Sequence, residues 1–332
     1  MTTAAITAAQ LSRNFRGTKA LQQLDLVVPQ GAIYALVGSN GAGKTTLIKT
    51  LLNILKPTTG AATLLGIPST ELAGKPFQHI GYVSENQELP TWMTVSYFLN
   101  YLRPFYPTWD TALEARLLRQ FDLPPKRKLK ALSRGMQMKA ALLSVLSFHP
   151  TLILLDEPFS GLDPLVRDEL VDGLLQTVQE GKTTILLSSH DLAEIESFAT
   201  HVGFLDNGRM LFSEEMPSLS ARFREVEVTL NLSGESEMHF EMHPAQSPQT
   251  LSSRSAAEGS AVALPDWPPN WLLPERSGSV LRFVESQATT FNTEAEAATR
   301  IPGFKDITLS PMSLRQIFLA TAKSARNSRE GN

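Results

Sequence analysis

The 332-residue chain contains no cysteine. That excludes a disulfide framework, a thiolate metal site and a cysteine nucleophile, and it fits a reducing compartment. Charge is scarce as well: charged residues make up 19% and the formal net charge is −3. Nucleic-acid-binding domains carry a clear basic excess, so nucleic acid is not expected as the main partner. Long apolar runs are also missing. The richest, Ala140 to Leu155, is broken by Ser144, Ser147, His149, Pro150 and Thr151, short of the roughly 18 to 20 continuous residues of a membrane span. It reads as a helix followed by a buried strand. The opening residues Met1-Thr2-Thr3-Ala4-Ala5-Ile6 lack the basic start and apolar core of a secretion signal. What remains is globular: 42% of the residues are apolar, and the length suits one large domain with a smaller one, or two domains.

Gly38-Ser39-Asn40-Gly41-Ala42-Gly43-Lys44-Thr45 fits GxxxxGK[ST]. Ile33 to Val37 before it reads as a buried strand, and Lys44 to Leu52 after it as a helix, which is the context that gives the pattern meaning. In that context the glycines let backbone N–H groups face phosphates, and the helix N-terminus adds partial positive charge. Lys44 then reaches the outer phosphates, and the Thr45 hydroxyl, followed by Thr46, is placed to ligate Mg²⁺. A nucleoside triphosphate is the expected ligand.

Farther on, the apolar strand Leu152-Ile153-Leu154-Leu155 ends in Asp156-Glu157. Beside a phosphate loop, the first carboxylate suits Mg²⁺ and the second suits orienting or deprotonating an attacking water. Another strand, Thr183 to Leu187, ends in Ser188-Ser189-His190. Strand ends of a parallel sheet converge on the ligand crevice, which brings His190 toward the same place.

With Leu132-Ser133-Arg134-Gly135-Met136-Gln137, these motifs make the chain similar, over roughly residues 8 to 215, to the ATP-binding subunits of ABC transporters, whose signature is LSGGQ. The resemblance implies an α/β P-loop ATPase core of residues 1–215 with a helical subdomain at about 86–148. It also implies ATP and Mg²⁺ as ligands, a second ATP-binding subunit paired head to tail, and a separate integral membrane permease. By the same resemblance Phe15 takes the place of the aromatic that stacks on adenine; as a residue alone it can also be read as a core phenylalanine near a strand. Glu85 stands where the family usually has a glutamine sensing Mg²⁺ and the γ-phosphate. Ser133, Gly135 and Met136 would meet the partner's ATP, and Asp163, in Ser160-Gly161-Leu162-Asp163, would be a cross-dimer contact. Glu157 takes the general-base role, His190 the γ-phosphate contact and Lys44 the charge stabilisation, with Thr45, Glu85 and Asp156 about the metal. Arg134 and Met136 depart from the signature. The expected location is the cytoplasmic face of the inner membrane, and the Gly-Met variant with the appended region resembles exporter subunits. A soluble ABC ATPase with a regulatory, nucleic-acid or ribosome-linked role is the alternative.

Trp92 to Leu123 is dense in aromatics and leucine: some form a small helical core, and only those left exposed can receive a permease. Lys126-Arg127-Lys128-Leu129-Lys130 suits a solvated loop or an anionic surface. Residues 216–323 read as a small α+β accessory domain: a strand at Phe223–Leu230, a Pro/Ser-rich insertion at about 243–279, a strand at Ser279–Val284 and an amphipathic helix around Met312–Leu319. A polar tail, 324–332, follows. His239 and His243, four apart, lack the further ligands a metal site needs.

Overall fold

The computed structural model describes residues 3–179, 183–231, 260–261, 267–288 and 293–330. His239, His243, residues 243–259 and 262–266 of the Pro/Ser-rich insertion, and the last two residues of the tail lie outside them. The chain divides into two compact units, Met1–Pro217 and Ser218–Asn332. In the first, β1 (Ala4–Phe15), β2 (Thr18–Pro29), β3 (Ile33–Val37), α1 (Lys44–Leu51), β4 (Thr59–Leu64), β5 (Ile67–Pro68) and β6 (Ile80–Ser84) come first. Three helices follow, α2 (Val95–Leu102), α3 (Thr111–Gln120) and α4 (Arg134–Leu146). Then come β7 (Leu152–Asp156), α5 (Pro164–Gln179), β8 (Thr184–Ser189), α6 (Leu192–Ile195), β9 (His201–Asp206) and β10 (Arg209–Glu215).

The central sheet has the order β10-β9-β3-β8-β7-β6. Every residue of β3, β7 and β8 is buried, as expected of parallel strands covered on both faces. Parallel pairing sets Ser84 beside Asp156, Asp156 beside Ser188, and Val37 beside Ser189. The four strand ends therefore finish together, and whatever follows each of them gathers at one edge. A second, antiparallel sheet, β2-β1-β4-β5, packs its apolar face on the core with Ile6, Leu11, Leu24, Leu26 and Leu64. Sequence periodicity did not announce β1 and β2. Their register shifts between Ala8 and Leu11, and Gln10 and Gln23 take positive φ, so strict alternation is broken where a pattern would be sought.

The helical insertion separates its aromatics. Phe98 and Leu99 are buried, whereas Trp92, Tyr97, Tyr101 and Phe105 are each more than half exposed. Tyr97 and Tyr101, four apart on α2, share a face. Lys126, Arg127, Lys128 and Lys130 are exposed around a fully buried Leu129, a solvent-facing loop pinned by one leucine. Among the described residues no helix is long and apolar enough to cross a membrane.

Past α7 (Met216–Arg222), the second unit holds β11 (Arg224–Leu230), β12 (Ser260–Ala261), β13 (Trp271–Ser277), β14 (Val280–Glu285), α8 (Thr293–Arg300), β15 (Phe304–Pro311) and α9 (Leu314–Glu330). Its described strands form an antiparallel sheet of order β12-β13-β14-β11-β15, and Trp271 stacks on Phe283 at 4.3 Å in its core. Glu285 is fully buried there. It accepts hydrogen bonds from Asn270 Nδ2 (2.9 and 3.0 Å), Trp271 Nε1 (2.8 Å) and the Gln287 amide (2.7 Å). Truncating it orphans two buried donor groups, the Asn270 amide and the Trp271 indole, at about 1–3 kcal/mol each. Glu285→Ala should therefore shift part of the tryptophan-monitored urea unfolding curve to lower denaturant, corresponding to a loss of about 2–6 kcal/mol.

Candidate nucleotide site

The phosphate loop runs from the end of β3 into α1, as its flanks require. Gly38 admits no side chain, because a Cβ would stand 2.3 Å from the Leu205 carbonyl oxygen. Gly43 caps α1 at φ 110°, where a Cβ would also meet the Ala20 carbonyl oxygen at 2.6 Å. Lys44, the first helical residue, is buried; its Nζ donates to the carbonyls of Gly38 (2.6 Å) and Ser39 (3.3 Å). The loop's own shape is thus held by the ammonium that would face phosphate. Beside it lies a cavity of about 520 Å³, lined by Asn40 to Thr46, Gly17 to Ala20, Gln22, Glu85, Glu157 and Asn207.

The carboxylates at the end of β7 are in different surroundings. Asp156 is buried, and its Oδ1 accepts from Thr45 Oγ1 and Ser188 Oγ, both at 2.9 Å. Burial pushes its pKa above the ordinary aspartate value and the Glu157 charge adds to the rise, while the two hydroxyls work the other way. A hydroxyl and a carboxylate oxygen sharing one contact, with room for phosphate and water, is an oxygen donor set that fits Mg²⁺. Glu157 adopts φ 51°, a conformation that costs energy in a non-glycine residue and that eight other non-glycine residues among those described share. Its amide donates to Ser188 Oγ at 2.9 Å. Its carboxylate is drawn two ways, Oε1 to Lys44 Nζ at 3.0 Å and Oε2 to His190 Nδ1 at 2.8 Å. The second contact fixes the imidazole through Nδ1.

Glu85 follows β6, its amide donating to the Asp156 carbonyl at 2.8 Å. Its Oε1 accepts from Ser160 Oγ and from Arg134 Nη2, both at 2.8 Å. The Ser160 bond, followed by Arg134, holds this carboxyl below the usual glutamate value.

The phosphate loop, Glu85, Asp156, Glu157 and His190 are brought together. Phe15, Ser133, Gly135, Met136 and Asp163 are not on the cavity wall. Phe15 ends β1 at 43% exposure with the Arg13 guanidinium 4.7 Å from its ring centre, so it is not a core phenylalanine. Ser133 is the N-cap of α4, its hydroxyl accepting from the Met136 amide at 3.3 Å, and Asp163 Oδ1 accepts from the Val166 amide at 3.0 Å near the start of α5. Two participants escaped the sequence reading. Ser188 bonds to both carboxylate-bearing residues and was legible only as a strand end, and Arg134 shows its charge but not its partner.

Because its folded-state pKa is raised, ionised Asp156 is costlier in the folded than in the unfolded chain. The penalty is fully present at pH above the raised value and disappears as pH falls through it. In EDTA without nucleotide, Asp156→Asn should therefore melt higher than the parent at pH 8, the two curves converging toward pH 4; a lower melting temperature at pH 8 would contradict this account.

The family model described as ABC transporter matches residues 21–160. An uncharacterized ABC transporter ATP-binding protein of Synechocystis is 34% identical over 219 residues, covering 64% of this chain but only 61% of that relative's length. The bacitracin transport ATP-binding protein BcrA of Enterococcus faecalis is 31% identical, with 66% of this chain and 72% of its own length covered. The daunorubicin/doxorubicin resistance ATP-binding protein DrrA of Streptomyces peucetius, 27% identical over 325 residues, matches across 96% of this chain and 92% of its own. A solved structure of an ATP-binding subunit of an ABC transporter superposes with a TM-score of 0.60 at 28% identity, over 66% of this chain and 92% of that one. The chain belongs to the ATP-binding subunits of ABC transporters, a family that hydrolyses ATP.

Proposed function

We propose that this chain hydrolyses ATP, paired head to tail with a second ATP-binding subunit, to drive a separate membrane permease in export. The observation that carries the chemistry is Glu157, suspended between Lys44 and His190 one residue after the buried Asp156. Glu157 takes a proton from the attacking water, and Lys44 meets the charge that develops on the outer phosphates. His190, held through Nδ1, turns its other nitrogen toward the γ-phosphate. Mg²⁺, held by Thr45 and Asp156 with Glu85 nearby, would supply charge neutralisation between the outer phosphates. Phe15 offers the exposed ring face on which adenine stacks.

Several residues assigned to ATP stand away from the cavity, which is what a site shared between subunits requires. Ser133 and Asp163 are exposed, and α4 begins at the signature, so its N-terminal amides are available to a phosphate on another subunit. The exposed Tyr97, Tyr101 and Phe105 form the face that receives the permease, adjoining a groove of about 360 Å³ lined in part by Ile54, Phe77, Gln87 and Phe98. The subunit then sits on the cytoplasmic face of the inner membrane. Export is supported by the bacitracin-transport and drug-resistance relatives, and the full-length match to the latter supports an accessory domain after residue 217.

Glu157→Gln should bind ATP as the parent does and lose about 10²- to 10⁴-fold in turnover; near-normal hydrolysis would sink the assignment. Affinity-tagged chain purified from membranes should bring down an integral membrane protein. Tyr97→Ala/Tyr101→Ala should lose that partner while binding ATP normally, and recovery of nucleic acid in place of a membrane protein would redirect the reading.

A further inference from the structure

Glu85 brings a second carboxylate to a cavity that Glu157 already lines, with Asp156 buried one residue before Glu157, and the proposed ligand of that cavity is a polyanion. Negative charge at that wall opposes triphosphate, and the opposition is felt across the few ångströms of a shared cavity. The wall carries its own remedy. Arg134, which opens α4, places Nη2 at 2.8 Å from Glu85 Oε1. The same oxygen takes the Ser160 hydroxyl, also at 2.8 Å. The guanidinium lies over Gly161, where a Cβ would come 3.2 Å from Nη1. Three segments far apart in sequence thus meet on one carboxylate oxygen.

The bland explanation is a surface ion pair that helps the fold. Arg134 is 52% exposed and Glu85 31%, and pairs so open to solvent contribute little to stability. A scaffold role therefore leaves the arrangement without a purpose. Charge compensation supplies one, because Glu85 lines the cavity whereas Arg134 approaches it from outside.

Given that the cavity takes a nucleoside triphosphate, we propose that Arg134 is a positioning residue and counter-ion for Glu85. It cancels the carboxylate's charge toward the phosphates and, together with Ser160, directs Oε1 away from them. Neither contact engages the remaining oxygen, Oε2. The signature helix in this way serves its own subunit's nucleotide through a side chain.

The test is a double-mutant cycle on the full chain, read by titration with trinitrophenyl-ATP, with Mg²⁺ and again in EDTA. Arg134→Ala should weaken binding roughly tenfold in both conditions, as an uncompensated charge would. Arg134→Lys should restore affinity to within about threefold. In EDTA, where no metal contact at Glu85 is in play, E85Q/R134A should do the same, since without the carboxylate the counter-ion has nothing to cancel. Melting temperatures should stay within about 3 °C of the parent, as an exposed pair predicts. Unchanged affinity in R134A would overturn the proposal, as would an equal loss in the E85Q background. A large fall in melting temperature in both backgrounds would make Arg134 a scaffold residue and overturn it too. If the parent chain itself fails to bind the probe, the nucleotide reading fails first.

Discussion

The parallel register of the central sheet is the constraint on which the site depends. Ser84, Asp156 and Ser188 stand in one row across β6, β7 and β8, and Val37 pairs with Ser189 at the end of β3. The next residues of those strands are Glu85, Glu157 and, one step past Ser189, His190, with Gly38 opening the phosphate loop. A slip of one residue in any strand turns its side chains to the other face of the sheet. Since both faces are packed with Leu, Ile and Val, the buried core enforces the register and the register assembles the chemistry.

Within that row, similar side chains acquire different properties from their surroundings. Asp156 is buried among hydroxyls and holds its proton more tightly than a free aspartate, whereas Glu85 is relieved of its proton more easily by Ser160 and Arg134. Glu157 is shared by a buried lysine and a half-exposed histidine. Burying charge is costly unless it is paired, and a pair of this kind is weak evidence for stability. Its retention beside a strained backbone at Glu157 is better understood as pre-organisation for a charged ligand.

Most of the candidate nucleotide site was legible because its motifs are contiguous. The phosphate loop needs strand, glycines and helix in immediate succession, and β3 and α1 lie where its flanks placed them. The strand after the signature helix and the acid pair closing it were readable for the same reason, their pattern being a continuous apolar run. The antiparallel sheet of β1, β2, β4 and β5 was not, since bulges at Gln10 and Gln23 erase the period that would reveal it. Exposure was equally out of reach: Tyr97 and Phe98 are neighbours of similar type, one half exposed and the other buried.

The sequence by itself determined the kind of ligand, the order of the strand-end motifs and the family of the core, because those features rest on short segments whose chemistry is local. Only the tertiary structure decided which residues share an atom. Arg134 and Glu85 are 49 positions apart, and Ser160 and Glu85 are 75 apart. Nothing in either neighbourhood selects the other, for the pairing follows from where β6 ends, α4 begins and the turn after β7 lies once the core has closed.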